Sequence, residues 1–247
     1  MSAVTILAIT NLPEIKPGND LLAYFLRCEP ALQKGDILVV TQKVISKAEN
    51  RLVRLDSVEP GPEAREIATR WDKDPRLVEL VLRESAELLR QDRGVLISRT
   101  QHGFVCANAG IDLSNVDGGT TACLLPLDCD LSARRLAEGL EQALGFAVPV
   151  IISDSFGRPW RLGITNVALG SFGLKPLLDL RGTEDAAGLE MKATVIALAD
   201  TLAASTELVV GKTTGYGASI IRGYSYTPDQ QAGVRQTIRP MADWFFS

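Results

Sequence analysis

Phe104-Val105-Cys106-Ala107-Asn108-Ala109-Gly110-Ile111-Asp112-Leu113-Ser114-Asn115-Val116-Asp117-Gly118-Gly119 is the stretch around which this chain is organised. An apolar run enters it as a strand would. Asn, Asp, Ser and Gly then crowd together, and two glycines close the stretch. Asn and Asp hydrogen-bond their own backbone and Gly tolerates positive φ, so this composition predicts a turn. Polar turns at the end of apolar strands are also where enzymes hold reactive groups. Asp112 and Asp117 are hard oxygen ligands, suited to magnesium, manganese or calcium. Taken alone, the stretch also reads as a long polar hairpin loop. A second stretch, Ile151-Ile152-Ser153-Asp154-Ser155-Phe156-Gly157-Arg158-Pro159-Trp160-Arg161, repeats the pattern of apolar strand, Asp and Gly, with two arginines added. Two strand-end aspartates beside arginines look like a site for a metal and an anion.

Outward from these turns, Val4 to Ile9 reads as a first strand, and Asn11 to Gly18 is stiffened by Pro13 and Pro17. Asp20 to Arg27 reads as a short helix. Gly35-Asp36 turns the chain into Ile37 to Thr41, a buried strand by its β-branched content. That strand runs on through Gln42 to Glu49, with Lys43 and Lys47 flanking an apolar pair. Pro62 to Trp71 reads as a helix. Asp74 caps another with Pro75 at its first position; Leu77, Val78, Val81, Leu88 and Leu89 give it an apolar face, and it ends before Gly94. Val95 to Ser98 is a strand with Phe104 to Ala107 as its hairpin partner. Thr121 to Leu127 is an apolar segment ending at Asp128. Ser132 caps a helix lined by Leu136, Leu140 and Leu144 and closed by Gly145. Val148 to Ile152 is the strand that delivers Asp154, and Ile164 to Leu169 is another. Thr183 to Ala204 reads as the longest helix, with Leu189, Ile196, Ala199 and Ala203 on one side. Leu208 to Val210 is a strand leading into Gly211-Lys212-Thr213-Thr214-Gly215-Tyr216-Gly217, and Ala218 to Ile221 is the last core strand. No internal repeat or low-complexity segment interrupts the order.

With 247 residues, 46% of them apolar, the chain can build a substantial core. A net charge of -4 gives no electrostatic reason to bind nucleic acid or an anionic membrane. The four cysteines form no C-x-x-C pair, which predicts reduced thiols in a cytoplasmic protein. One histidine, His102, is too few for a His-rich metal site. The N-terminus does not read as a signal peptide, and no run approaches the roughly twenty apolar residues of a membrane span.

Gly211-Lys212-Thr213 invites a phosphate-loop reading, but the full motif needs a glycine where Thr206 stands. A glycine-rich turn can still present backbone N–H groups to phosphate. In the second acidic stretch, Ser155 can add a hydroxyl ligand, and Arg158 and Arg161 offer planar forks for phosphate or carboxylate. Ser155 is no nucleophile, since no G-x-S-x-G elbow surrounds it. Phe156 and Trp160 read as packing residues.

At these residues the chain resembles a family. Gly35-Asp36 through Ile45-Ser46-Lys47-Ala48-Glu49, Asn108-Ala109-Gly110-Ile111-Asp112 with Ser114-Asn115, and Asp154-Ser155-Phe156-Gly157-Arg158 are similar to the coenzyme F420-0:L-glutamate ligases. The resemblance extends from Leu12-Pro13 to Arg222-Gly223. It implies an α+β fold of mixed sheets with flanking helices, an intertwined homodimer, and one catalytic unit over 1–247 without the C-terminal oxidoreductase domain of some bacterial relatives. It further implies GTP-dependent addition of L-glutamate to the deazaflavin precursor F420-0. Nucleotide contacts would fall on Leu12, Pro13, Glu14, Ile15, Gln42, Lys43, Lys47, Asn115 and the loop Gly211, Lys212, Thr213, Thr214, Gly215, Tyr216 and Gly217. Mg2+ or Mn2+ would be held by Asp112, Asp154 and Ser155, with K+ as a further candidate ion. The chain departs from the family at Gln42-Lys43, where a serine-type pair is usual, and at Lys212, where some members carry an acidic ligand.

A carboxylate forms no amide directly, because hydroxide is a poor leaving group. Transfer of the GTP γ-phosphoryl makes an acyl phosphate, which the glutamate amine attacks. Phosphoryl transfer asks mainly for positioning and charge neutralisation. On this expectation Asp112, Asp154, Lys47 and Arg158 are the catalytic residues. The alternatives are a metal-dependent phosphotransferase acting on another carboxylate or alcohol, and a deazaflavin or nucleotide carrier without turnover.

Overall fold

Ile37-Leu38-Val39-Val40 is apolar at every position, so a strand made from it must bury both faces. In a computed structural model, which describes residues 3–113 and 119–245, it does so. The strand β2 (Ile37–Thr41) lies inside a five-stranded sheet with β1 (Thr5–Ala8), β8 (Val150–Arg158), β9 (Arg161–Phe172) and β12 (Ala218–Arg222), in the order β1-β12-β2-β8-β9. β2 and β8 are parallel, and the other neighbours are antiparallel. Leu38, Val40, Val150 and Ile152 pack with Leu136, Ala137 and Leu140 of α5 (Cys129–Leu144). Ile37, Val39 and Ile151 face the other way, onto Leu198, Ala199, Leu202 and Ala203 of α6 (Leu198–Val210). The period-two alternation of the strands therefore divides one apolar run between two helix layers.

A smaller region stands beside this sandwich. The helices α3 (Pro62–Trp71) and α4 (Pro75–Glu84) pack through Ala64, Ile67, Val78 and Val81. They cover a sheet of β4 (Ser85–Asp92), β5 (Val95–Thr100) and β6 (Val105–Ala107), in that order. A two-stranded ladder of β3 (Leu52–Arg54) and β7 (Thr121–Cys123) joins the regions, and β10 (Leu177–Asp179) pairs with β11 (Val195–Ala197). The result is the mixed α+β architecture expected. All four cysteines are free and buried. Among the described residues no helix is long and apolar enough to cross a membrane.

Several boundaries differ from the sequence reading. The strand from Ile37 stops at Thr41, and Gln42–Ala48 is the helix α2. Its apolar pair Val44-Ile45 meets the core from a helix, not from a strand. The helix capped by Asp74 ends at Glu84, and Leu88 and Leu89 lie on β4. Asp128, not Ser132, caps α5: its carboxylate accepts from the Leu131 N–H at 3.0 Å. Ser132 lies one turn inside. Residues 183–194 are not helical; α6 begins at Leu198 and runs through Leu208–Val210, where the sequence predicts a strand. Gly188, with φ 80°, is incompatible with a continuous helix there. Asp154 lies within β8, which continues to Arg158, and the turn falls at Pro159-Trp160.

Candidate active site

The carboxyl ends of the parallel pair β2 and β8 open into one cleft of about 1010 Å³. Strand carboxyl ends are where α/β sheets commonly place ligands. Here β2 hands over directly to α2, whose first turn carries Lys43, while β8 continues and carries Asp154 and Ser155 along the cleft wall. The segment Leu12–Ile15 and the loop after α6 close the other sides. Gly217 permits that closure, since a Cβ there would stand 2.4 Å from Val44 Cγ2.

Asp112 comes from the small region. Asn108, Ala109 and Gly110 all have positive φ, at 51°, 53° and 71°, a sharp left-handed turn that is unfavourable for the two non-glycines. Gly110 is further restricted by Leu125, 3.0 Å from where its Cβ would be. After the turn, Asp112 exchanges two backbone hydrogen bonds with Cys123, at 2.8 and 3.0 Å. These pin its backbone while its carboxylate pairs with the Lys43 ammonium at 2.8 Å. The tight turn expected from the composition thus fixes the carboxylate at the cleft.

Asp154 sits opposite. Burial pushes its carboxyl pKa up to about 6, opposed by the Ser155 backbone N–H. The Asp112 charge raises it further, while Lys212 and Lys43 lower it. Among the described residues it has no ion pair. A half-buried carboxylate next to a second one, with no cation in contact, is the arrangement a hard divalent ion relieves. The donor chemistry therefore fits Mg2+ or Mn2+. No cluster of three or more His, Cys, Asp or Glu could hold a metal among the described residues. Asp112 and Asp154 would accordingly leave several positions to water and phosphate oxygens, as magnesium sites commonly do.

Lys47 is nearly buried and pairs with Glu14, so two residues expected at the nucleotide meet each other. Gln42 is buried; its amide donates to Ser46 Oγ at 2.6 Å and to the Leu124 carbonyl at 2.9 Å, so its side chain turns inward. Lys212 reaches the Ser155 hydroxyl. Leu12, Pro13, Ile15, Gly211, Thr213, Gly215, Tyr216 and Gly217 line the cleft as well. Thr214 instead turns its hydroxyl back to the Val210 carbonyl. Arg158 is exposed near the β8–β9 turn, bonded to the Leu162 carbonyl, and does not line the cleft. Phe156 packs edge-on against Phe104, at 6.5 Å between ring centres, but Trp160 is exposed. Asn115 and Asp117 lie outside the described residues.

The chain matches the family model described as F420-0:Gamma-glutamyl ligase over residues 10–223. It belongs to that family, a family of ligases. It is 42% identical over 244 residues to the Coenzyme F420:L-glutamate ligase of Methanothermobacter thermautotrophicus, covering 96% of each chain. It is 42% identical over 224 residues to the protein of the same name from Methanopyrus kandleri, covering 90% of this chain and 88% of that one. The corresponding protein of Methanocaldococcus jannaschii is 37% identical over 237 residues, covering 96% and 94%. The stretch matched by the family model contains the whole described cleft.

Asn166 and Glu207 line the cleft of this family member as well, and neither is among the site residues expected from the sequence. Asn166 accepts the Ser155 proton at 2.7 Å, and Glu207 lies 3.4 Å from the Lys212 ammonium. Asn166 is placed by the β8–β9 register, in which it sits opposite Ser155. Glu207 is placed by the helical turn at the end of α6. Neither position carries a local motif.

Proposed function

We propose that this chain is an F420-0:L-glutamate ligase of deazaflavin-coenzyme biosynthesis, acting in the cytoplasm. It uses GTP to activate the F420-0 carboxylate as an acyl phosphate, which the amine of L-glutamate then attacks. The observation that carries this reading is the cleft in which Asp112 and Asp154 face Lys43, Lys47 and the glycine-rich loop, inside a chain matched almost throughout to ligase relatives.

The residues have separable tasks. Lys43 and the loop Gly211–Gly217 bind the nucleotide phosphates. Lys47, oriented by Glu14, neutralises charge on the transferred group. Asp112 and Asp154 hold the divalent cation, which supplies Lewis-acid charge neutralisation when bound. Leu12 to Ile15 pack against the nucleotide and exclude water. Asn115 contributes a further nucleotide contact. K+ belongs to the same reading as a further bound ion. No covalent protein nucleophile is required. Residues 1–247 act as one catalytic unit and pair as an intertwined homodimer. The exposed Trp160, Leu162 and Ile164 of the β8–β9 hairpin offer apolar area for that pairing.

Mass spectrometry of the product formed from F420-0, GTP, L-glutamate and Mn2+ tests the reaction, which adds one or more glutamyl residues. Phosphate release that requires glutamate separates the ligase from a phosphotransferase, which needs none, and from a carrier, which releases none. Sedimentation at micromolar concentration tests the dimer, and a monomer would refute it.

A further inference from the structure

The Lys212 ammonium has partners on two different elements. Glu207, in the last turn of α6, lies 3.4 Å from it, and it donates to the Ser155 hydroxyl on β8. The conformation of Gly211, φ 60° and ψ -176°, turns the chain at the helix end between Glu207 and Lys212. The carbonyl end of α6 also favours a cation there. Ser155 in turn donates its proton to Asn166 Oδ1 at 2.7 Å.

A serine hydroxyl has one proton and two lone pairs. At Ser155 the proton is committed to Asn166 and a lone pair to Lys212. A metal ion ligated by the same oxygen would stand directly against an ammonium, which has three donors and no lone pair to offer it. Lys212 also lies close enough to Asp154 to lower its pKa, as Lys43 does.

We propose that Lys212, held between Glu207 and Ser155, is a built-in cation that takes the Ser155 side of the carboxylate pair, so that the cleft binds one divalent ion per chain and Lys212 supplies the second positive charge met by the phosphates. Ser155 is then a support for the ammonium and not a metal ligand. The inference rests on the reading of Asp112 and Asp154 as metal ligands given above. It makes Lys212 the residue that sets how many metal ions the reaction uses.

The test is a Mn2+ titration of the full chain, with free ion read by electron paramagnetic resonance, alone and with a nonhydrolysable GTP analogue. The expected result is one bound Mn2+ per wild-type chain, and one for Lys212→Arg, which keeps the charge. Lys212→Glu removes the ammonium and adds a carboxylate, and binds two. Lys212→Met, neutral and of similar length, binds its first Mn2+ at least about tenfold more tightly than wild type. Lys212 is an exposed loop residue, and a thermal melt by circular dichroism checks that each variant is folded. Two Mn2+ per wild-type chain would overturn this inference alone. So would a Lys212→Glu variant that still binds one. Absence of Mn2+ binding in every variant would overturn the metal-ligand reading together with this one.

Discussion

The two ends of the central sheet each carry a buried or half-buried aspartate, and the two are treated in opposite ways. At the amino end of β2, Asp36 is 1% exposed and accepts a bidentate pair from Arg222, at 2.8 and 2.7 Å, together with the Gln33 N–H at 2.8 Å. Every part of its charge is answered within the protein, which locks β12 to the start of β2. At the carboxyl end, Asp154 has no ion pair among the described residues, and its pKa is raised to about 6. A buried charge that is fully paired serves the fold, whereas one left without a cation in a cleft is a candidate for ligand binding.

The widest separation between the two ends should appear in turnover. Asp154→Ala and Asp112→Ala should each lower the rate by about a thousandfold or more, corresponding to about 4 kcal/mol of lost transition-state stabilisation, while the protein stays folded. Glutamate-dependent phosphate release is the measurement. Near wild-type rates in either variant would remove the distinction between the ends.

Asp36→Ala sharpens the comparison from the other side. It leaves the Arg222 guanidinium against a partly buried site without its partner, and losing one member of a buried pair costs about 3–5 kcal/mol of stability. Denaturant unfolding should show that loss, while the folded fraction keeps its turnover number. An Asp36→Ala protein with unchanged stability would show that the pair is not what holds this end.

A third test uses pH. Because the folded-state pKa of Asp154 is raised to about 6 above an unfolded value of about 3.9, its contribution is fully present below pH ~4 and is lost as pH rises through ~6. In metal-free protein at pH 8, ionised Asp154 should therefore cost up to about 3 kcal/mol. Asp154→Asn should be more stable than wild type at pH 8 and not at pH 4, by thermal melts in chelator. Added Mn2+ should stabilise wild type and not the variant. A variant less stable than wild type at pH 8 would mean that the carboxylate is satisfied within the protein.

These contrasts also explain what could be read from the residues. Pro62–Trp71 was legible to the residue, and so was the start of the strand at Ile37, because a Pro-led helix and a β-branched run after Gly35-Asp36 have clear beginnings. The continuation beyond Thr41 was not, because no Gly or Pro follows it to mark a break and the Val44-Ile45 pair suits a strand as well as a helix. Leu88 and Leu89 were drawn into a helix because no Gly or Pro separates Glu84 from Gly94. Asp112 and Asp154 stood out because hard ligands following apolar strands are conspicuous in sequence. Asn166 and Glu207 did not, since hairpin register and a helix end bring them to the cleft. The paired state of Asp36 was equally hidden, because its arginine lies 186 positions away.

The smallest effect concerns helix starts, and it extends the same contrast. Asp128 caps α5 through its bond to the Leu131 N–H, and such a cap is worth about 1 kcal/mol. Thr41, the residue before α2, lines the cleft and makes no side-chain cap bond, so the first N–H groups of that helix are not answered by it. Asp128→Ala should therefore lower stability by about 1 kcal/mol with turnover unchanged. Thr41→Ala has no cap bond to lose and should change stability by less than about 0.5 kcal/mol. Chemical denaturation of both variants at one pH measures the difference directly. The informative failure is a Thr41→Ala protein destabilised as much as Asp128→Ala. That would mean that Thr41 does cap α2 in solution, and that the helix start beside the cleft is closed by the protein and not left open toward a ligand.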